Sequence, residues 1–404
     1  MNSQVESGKM ELWRDVHFWQ DVTSQDWTDW KWQMKNAVRS PQKLWEILGQ
    51  TFPLGTEDTE LLSRVINAFE MKLTPFLVVA IHSAIRRGHL KAARAVVNAF
   101  VPTIAEAERV DDGIDGIGEE LASVRPAPLV TNFYKNRVLL FAANMCPAYC
   151  RFCFRRRKVG DYLQEGVELA TNEELLRNAL CYIKENNAIR EVIVSGGDPL
   201  MLSDGRLLSL LQQLREIDHV KVLRIDTKVL TTLPQRITPE LVDGLRRCRP
   251  IYLVGNFLHS AELLPEVIRA TSSLIDAGIP ILSHTALLRD INDDPEIISE
   301  LMWNLFQNRV IPYYLIHFIP TKWTEHFRVP IGRGLEIMES LHSRLSGIAN
   351  PRYIVYLPDG AGKIPLLPNY LLERSDEGYR FRSFEGKAVL YKESKWHCDQ
   401  SIHS

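Results

Sequence analysis

From residue 133 onward the chain keeps a rhythm that few folds accommodate: short β-prone apolar runs alternate with longer helical patterns. The runs are Arg137–Ala142, Glu191–Ser195, Val220–Ile225, Ile251–Val254, Ile281–Leu288 and Val310–His317; helical patterns lie around 172–187, 203–216, 238–247, 261–277 and 295–308. Six β units joined by five helices predict a parallel sheet of right-handed crossovers, either open or curled into an incomplete barrel. In both cases the chemistry belongs at the carboxyl ends of the strands.

The rest of the chain divides around this α/β unit. Residues 10–110 read as helical, with Thr74-Pro75 as a cap followed by proline at the first helical position and Leu90–Phe100 as a further helix. Ser24 reads as the cap of the helix that follows it, and the five tryptophans between Trp13 and Trp32 read as an interlocking helical core, because aromatics dominate core burial. Residues 111–132 turn rich in glycine, proline and acid and read as a linker or surface loop. The division is therefore 1–110 helical region, 111–132 linker, 133–330 partial barrel and 331–404 C-terminal segment.

Compartment and partners follow from charge and cysteine usage. A net charge of -2 over 404 residues gives no global case for nucleic acid or an anionic membrane. The polar N-terminus has no signal-peptide core, and no apolar run is long enough to span a bilayer. Cys181, Cys248 and Cys398 are scattered, so a reducing cytoplasm is expected rather than a disulfide framework.

The other three cysteines stand together: Cys146, Cys150 and Cys153, in CxxxCxxC spacing directly after the first β unit. Structural zinc takes four protein ligands, commonly from paired CxxC spacings. Three closely spaced thiolates suit an iron–sulfur cluster with one iron left open. This is the pattern of radical S-adenosylmethionine (SAM) enzymes, whose open iron chelates SAM. After the second β unit comes Ser195-Gly196-Gly197-Asp198, which resembles the superfamily's loop for the methionyl amino group; standing alone it is also a common tight turn. Arg224, in the third unit, is a candidate for the SAM ribose or carboxylate. The basic run Arg155-Arg156-Arg157-Lys158 reads either as a polybasic patch for nucleic acid or, beside a cluster, as a source of one arginine fork for a substrate carboxylate. Lys363 sits in a glycine-rich, proline-bounded turn, which reads as a solvated lysine or as one placed to bond a carbonyl cofactor.

Taken in order, these motifs resemble the lysine 2,3-aminomutase family. The likeness covers nearly the whole chain, from Asp26-Trp-Thr-Asp-Trp-Lys-Trp-Gln33 and Met71-Lys-Leu-Thr-Pro75 through the cysteine motif to Leu287-Leu-Arg-Asp-Ile-Asn-Asp293, Glu325-His-Phe-Arg328 and Gly362-Lys-Ile-Pro-Leu-Leu-Pro-Asn-Tyr370. The resemblance implies an incomplete (β/α)6 radical SAM barrel with an N-terminal helical region and a C-terminal segment. It implies a [4Fe-4S] cluster on Cys146, Cys150 and Cys153, SAM, and pyridoxal 5′-phosphate (PLP) on Lys363. Tyr134 matches the residue packing on the PLP ring, Arg137 one holding its phosphate, and Arg155 the arginine gripping the substrate α-carboxylate. Gly196, Gly197, Asp198 and Arg224 fall to SAM. The implied reaction moves an α-amino group to C3, with SAM supplying the radical and PLP holding the nitrogen. A flavodoxin- or ferredoxin-type electron donor and a homo-oligomer are expected with it.

Three departures qualify the likeness. Ile319 and Tyr356 stand where the lysine-specific enzymes bind the distal ammonium with two aspartates, so the expected substrate is an amino acid other than lysine. Phe133 replaces an arginine before the ring-stacking tyrosine. In the tail, Cys398 beside His397 has lost its upstream partner to Asp294, so no structural zinc is expected. Three alternatives stay open: radical fragmentation or decarboxylation with the same cofactors, a lysine enzyme using other contacts, and a PLP-free radical SAM enzyme acting on RNA or protein.

Overall fold

The computed structural model of the chain describes residues 11–49, 59–107, 115–160, 170–375 and 377–392. The N-terminal region is helical because its caps and apolar faces agree. Ser40 and Thr74 each cap a helix that opens on proline, accepting from the N–H groups of Lys43 and Leu77. Thr23, one residue earlier than expected, caps Ser24–Thr28. The tryptophans do form a core. Trp27 is buried, with Trp13 stacked on it at 4.9 Å between ring centres and Trp19 and Trp32 at 5.9 and 6.0 Å.

Among the described residues the main sheet has nine strands in sequence order. Strand β1 (Val130–Tyr134) pairs antiparallel with β2 (Arg137–Ala143). Then β3 (Glu191–Gly196), β4 (Val222–Thr227), β5 (Ile251–Asn256), β6 (Ile281–Ala286) and β7 (Ile311–Ile316) follow in parallel, and with β2 they are the six expected units. The rhythm does not stop there. Helix Ile331–His342 leads to a further parallel strand, β8 (Arg352–Tyr356), and β9 (Lys363–Pro365) returns antiparallel to it with Tyr356 opposite Lys363. A separate three-stranded sheet, β10 (Leu371–Ser375), β11 (Gly378–Arg382) and β12 (Ala388–Tyr391), ends the described chain.

Alternation along the parallel strands sorts side chains between two environments. Leu223 and Ile225 of β4 are fully buried, each such residue contributing about 1.5–3 kcal/mol. Arg224 and Asp226 alternate with them onto the opposite face. The sheet is curled. In a flat sheet β4 and β9 would lie five strand spacings apart, roughly 24 Å. Instead Arg224 and Asp226 of β4 are the leading charges acting on Lys363 of β9, with Arg137 of β2 next. The two edges meet where the Tyr134 hydroxyl of β1 accepts from the Lys363 N–H at 3.0 Å.

The stretch expected as a linker is not a free tether over its described part. Ile117 accepts from the Gly360 N–H at 3.1 Å, Gly116 lies against Pro320, and Glu119 is buried. Residues 115–120 thus cross from the Ile319 loop to the Lys363 loop, held at both ends.

Candidate active site

Three loops at the carboxyl ends of β2, β3 and β4 build the floor of one cavity of about 210 Å³, whose wall includes Cys146, Cys150, Cys153, Arg155, Ser195–Asp198, Asp226, Asn256, His284, Ile319 and Tyr356. The cysteine loop is positioned from below by Arg151. Its guanidinium is wholly buried, forks onto Glu106 at 2.7 and 2.8 Å, and donates to the carbonyls of Phe69 and Glu70 at 2.8 and 2.9 Å. Arg156 reaches the same Glu106 at 3.2 Å. The loop backbone is pinned as well, Tyr149 N–H to Lys72 and Arg151 N–H to Ala99.

The glycine loop docks on the cysteine loop. Gly197 N–H donates to Ala143 at 2.5 Å and Asp198 N–H to Met145 at 2.7 Å. A Cβ at Gly197 would stand 2.6 Å from the Met145 carbonyl oxygen, so glycine is needed here for a backbone-to-backbone approach. The Asp198 carboxylate is committed inside the protein: it accepts from the Thr227 hydroxyl and from the N–H groups of Leu200, Lys228 and Val229. Burial raises its pKa to about 6 against those bonds. Its structural work is to tie the end of β4 to the glycine loop, which leaves backbone carbonyls as the acceptors the loop offers to a ligand.

Burial pushes all three thiols above their ordinary range, Cys150 to about 12, and a bound metal reverses that by taking the thiolate. Among the described residues no three His, Cys, Asp or Glu side chains converge as they would about a single ion. The three thiols line one cavity from a single short loop, a donor set suited to a cluster in which each thiolate takes a different iron. His397 and Cys398 lie outside the described residues.

The basic run is internal. Arg155 donates through Nε to Glu119 at 2.9 Å, Arg157 to Glu119 and Glu120 at 3.0 Å each, and Lys158 pairs with Glu120. Burial opposes ionisation of Glu119, but Arg155, Lys158 and Arg157 outweigh it and hold its carboxyl below the usual range. A run paired with the buried Glu106 and Glu119 and the half-buried Glu120 presents little basic surface, and the polybasic reading loses its support. Arg155 keeps its Nη1 toward Ser195, at 3.4 Å from the hydroxyl, so part of its fork faces the cavity.

Lys363 enters from the other side. Its ammonium lies 4.5 Å from the centre of the Tyr314 ring and 5.6 Å from that of Tyr356. Burial first, then the charge of Arg224, lowers its pKa to about 8. The Arg137 guanidinium stacks 3.7 Å over the Tyr134 ring, and that tyrosine holds the Lys363 backbone. Arg224 approaches Glu191 and Asp226 at 3.4 Å each, which places it among the groups around Lys363. Tyr356 is held neutral, its pKa raised to about 12 by burial. Sequence reasoning did not single out Glu106, Glu119 or His284. Glu106 and Glu119 carry no motif, and only the fold shows that they receive the arginines.

Comparison with known proteins places the chain in a family. Residues 141–301 match the radical SAM superfamily, and residues 338–403 match the family described as lysine-2,3-aminomutase. The chain is 37% identical to the L-lysine 2,3-aminomutase of Fusobacterium nucleatum over 378 residues, covering 93% of this chain and 85% of that one. It is 35% identical to the L-lysine 2,3-aminomutase of Acetoanaerobium sticklandii over 389 residues, covering 95% and 90%. It is also 35% identical to the glutamate 2,3-aminomutase of Clostridioides difficile over 367 residues, covering 91% and 83%. Relatives with two different substrate names are thus similar to it over most of their length, and the chain belongs to the lysine 2,3-aminomutase family of radical SAM enzymes.

Proposed function

We propose that the protein is a SAM- and PLP-dependent 2,3-aminomutase whose substrate is an amino acid other than lysine. The observation that carries the reading is the cavity itself, which brings the cysteine loop, the Arg155 fork and the Ile319 and Tyr356 side chains to one wall while Lys363 faces Tyr356. Membership of the family implies a [4Fe-4S] cluster and SAM, and the three thiols with the docked glycine loop suit them. The residues also fit PLP: a lysine with a depressed pKa for its aldehyde carbon, Tyr134 and Tyr314 for a planar ring, and Arg137 for a phosphate. When bound, these groups supply hydrogen abstraction and hold the migrating nitrogen.

The chain's own residues then have separable tasks. Arg155 binds the α-carboxylate, oriented by Glu119 through its Nε. Lys363 returns to a neutral amine near pH 8 and is available to bond a carbonyl. Residues 115–120 span the Ile319 and Lys363 loops and exclude water from that side, which strengthens each electrostatic contact within. Ile319 offers apolar contact and the neutral Tyr356 a hydroxyl to the substrate side chain. Neither Ile319 nor Tyr356 supplies an anion, so a lysine ammonium held at those two side chains would be desolvated at a cost of several kcal/mol.

The test is anaerobic incubation of protein reconstituted with iron, sulfide, SAM and PLP against a panel of amino acids, with products read by NMR. A β-amino isomer from a non-lysine amino acid is expected. Lysine as the preferred substrate overturns the specificity reading, and a chain-shortened product overturns the aminomutase reading. No helix among the described residues is long and apolar enough to cross a membrane.

A further inference from the structure

The cavity wall contains a carboxylate that the reaction as described does not use. Asp226 is on β4, and its Oδ1 is buried without a hydrogen-bond partner. The nearest cation is the Arg224 Nε at 3.4 Å, itself buried and without a hydrogen bond. The two are close enough to attract but are not aligned to bond. Arg224 is drawn aside by Glu191, at 3.4 Å from its Nη1. The Asp226 side chain is nonetheless 18% exposed, so a carboxylate with one oxygen sealed and unpartnered turns the rest of its surface to the cavity, with acceptor capacity left for a ligand. Asp226 lines that cavity, and Lys363 is, after Arg224, the strongest positive influence on it.

Topology says which part of a ligand arrives there. Lys363 lies on β9, five strands from β4 in sheet order, so the curled sheet sets the two residues on facing walls. In PLP the ring nitrogen is para to the carbon that bears the aldehyde. A ring bonded at Lys363 therefore directs its nitrogen away from β9 and across the lumen. An acid at that nitrogen keeps it protonated, the usual arrangement in proteins that use PLP as an electron sink. We propose, on the reading that Lys363 carries PLP, that Asp226 is the acceptor for the protonated ring nitrogen. Arg224, held back by Glu191, then balances the Asp226 charge before the cofactor arrives, and the cofactor's own N–H completes the carboxylate afterwards.

The experiment uses PLP labelled with ¹⁵N in the ring, bound to the full chain, with the ¹⁵N resonance reporting directly whether the nitrogen is protonated. Borohydride trapping comes first, with mass spectrometry of the peptide containing Lys363. No pyridoxyl group on Lys363 in the wild-type protein defeats the PLP reading itself, and this proposal with it. With PLP trapped, the wild-type resonance is expected at the pyridinium position, Asp226→Asn at the neutral pyridine position and Asp226→Glu again at the pyridinium position. A neutral pyridine in the wild type overturns the proposal while leaving PLP on Lys363. A resonance that Asp226→Asn leaves in place also overturns it, and is the result expected if Asp226 instead faces a substrate ammonium. Should Asp226→Asn not take up PLP, the wild-type and Asp226→Glu resonances decide alone.

Discussion

The Tyr134 hydroxyl accepts a hydrogen bond from the backbone N–H of Lys363 at 3.0 Å, and the two residues belong to the first and last strands of the nine-stranded sheet. One side chain thus joins the sheet's two edges at the residue proposed to carry a cofactor. The seam is tight. Gly362 has φ +81°, and a Cβ there would stand 3.0 Å from the Tyr134 oxygen.

Gly362→Ala is expected to cost about 1–2 kcal/mol from the left-handed backbone alone, and to push Tyr134 off the Lys363 N–H. Tyr134→Phe should cost only about 1 kcal/mol in urea unfolding yet slow borohydride-trapped PLP uptake. Uptake at the wild-type rate in both variants would show that the seam does not position Lys363.

Lys363 is expected to take up PLP with a rate that rises through pH 8. The sign follows from its depressed pKa: below about 8 the amine is protonated and unreactive, and above it the amine is free. An exposed lysine would give a midpoint near 10.4. Trapped adduct measured against pH decides between them, and a midpoint near the ordinary value removes burial and Arg224 as controls on this amine.

Glu106→Ala leaves Arg151 and Arg156 facing a buried gap. Removing one partner from a buried pair costs about 3–5 kcal/mol, and Glu106 and Arg151 side chains are both 0% exposed. Denaturant unfolding should show that loss, and anaerobically reconstituted protein should hold less iron than the wild type. Full iron content would mean that the cysteine loop keeps its shape without the Arg151 anchor.

Ile319→Asp combined with Tyr356→Asp is expected to increase turnover of L-lysine relative to the wild-type substrate, because it supplies anions to the distal ammonium. Product NMR on both substrates checks this. An unchanged preference would move the specificity contacts elsewhere in the cavity.

The parallel strands were legible because each is an apolar run with β-branched residues, and the helices between them keep their periodicity. Arg352–Tyr356 escaped because it is a short strand closed in between Pro351 and Pro358, although its Tyr353 and Ile354 are buried. The cysteines, Arg155 and Lys363 stand out by local spacing. Glu119 does not: it lies in an acid- and glycine-rich stretch whose composition matches a linker, and its meaning depends on three cations brought to it across more than thirty residues of chain. Likewise, one glycine pair can signal a ligand loop, but only the fold shows that Gly197 is pressed against Met145.

The anchoring of Arg151 bears on how the protein matures. Its receptors, Phe69, Glu70 and Glu106, all precede the cysteines in the chain and so leave the ribosome first. The platform that shapes the cysteine loop is synthesised before the loop itself. Arg151, standing between Cys150 and Cys153, then needs only to reach back to groups already synthesised for the loop to be fixed from below.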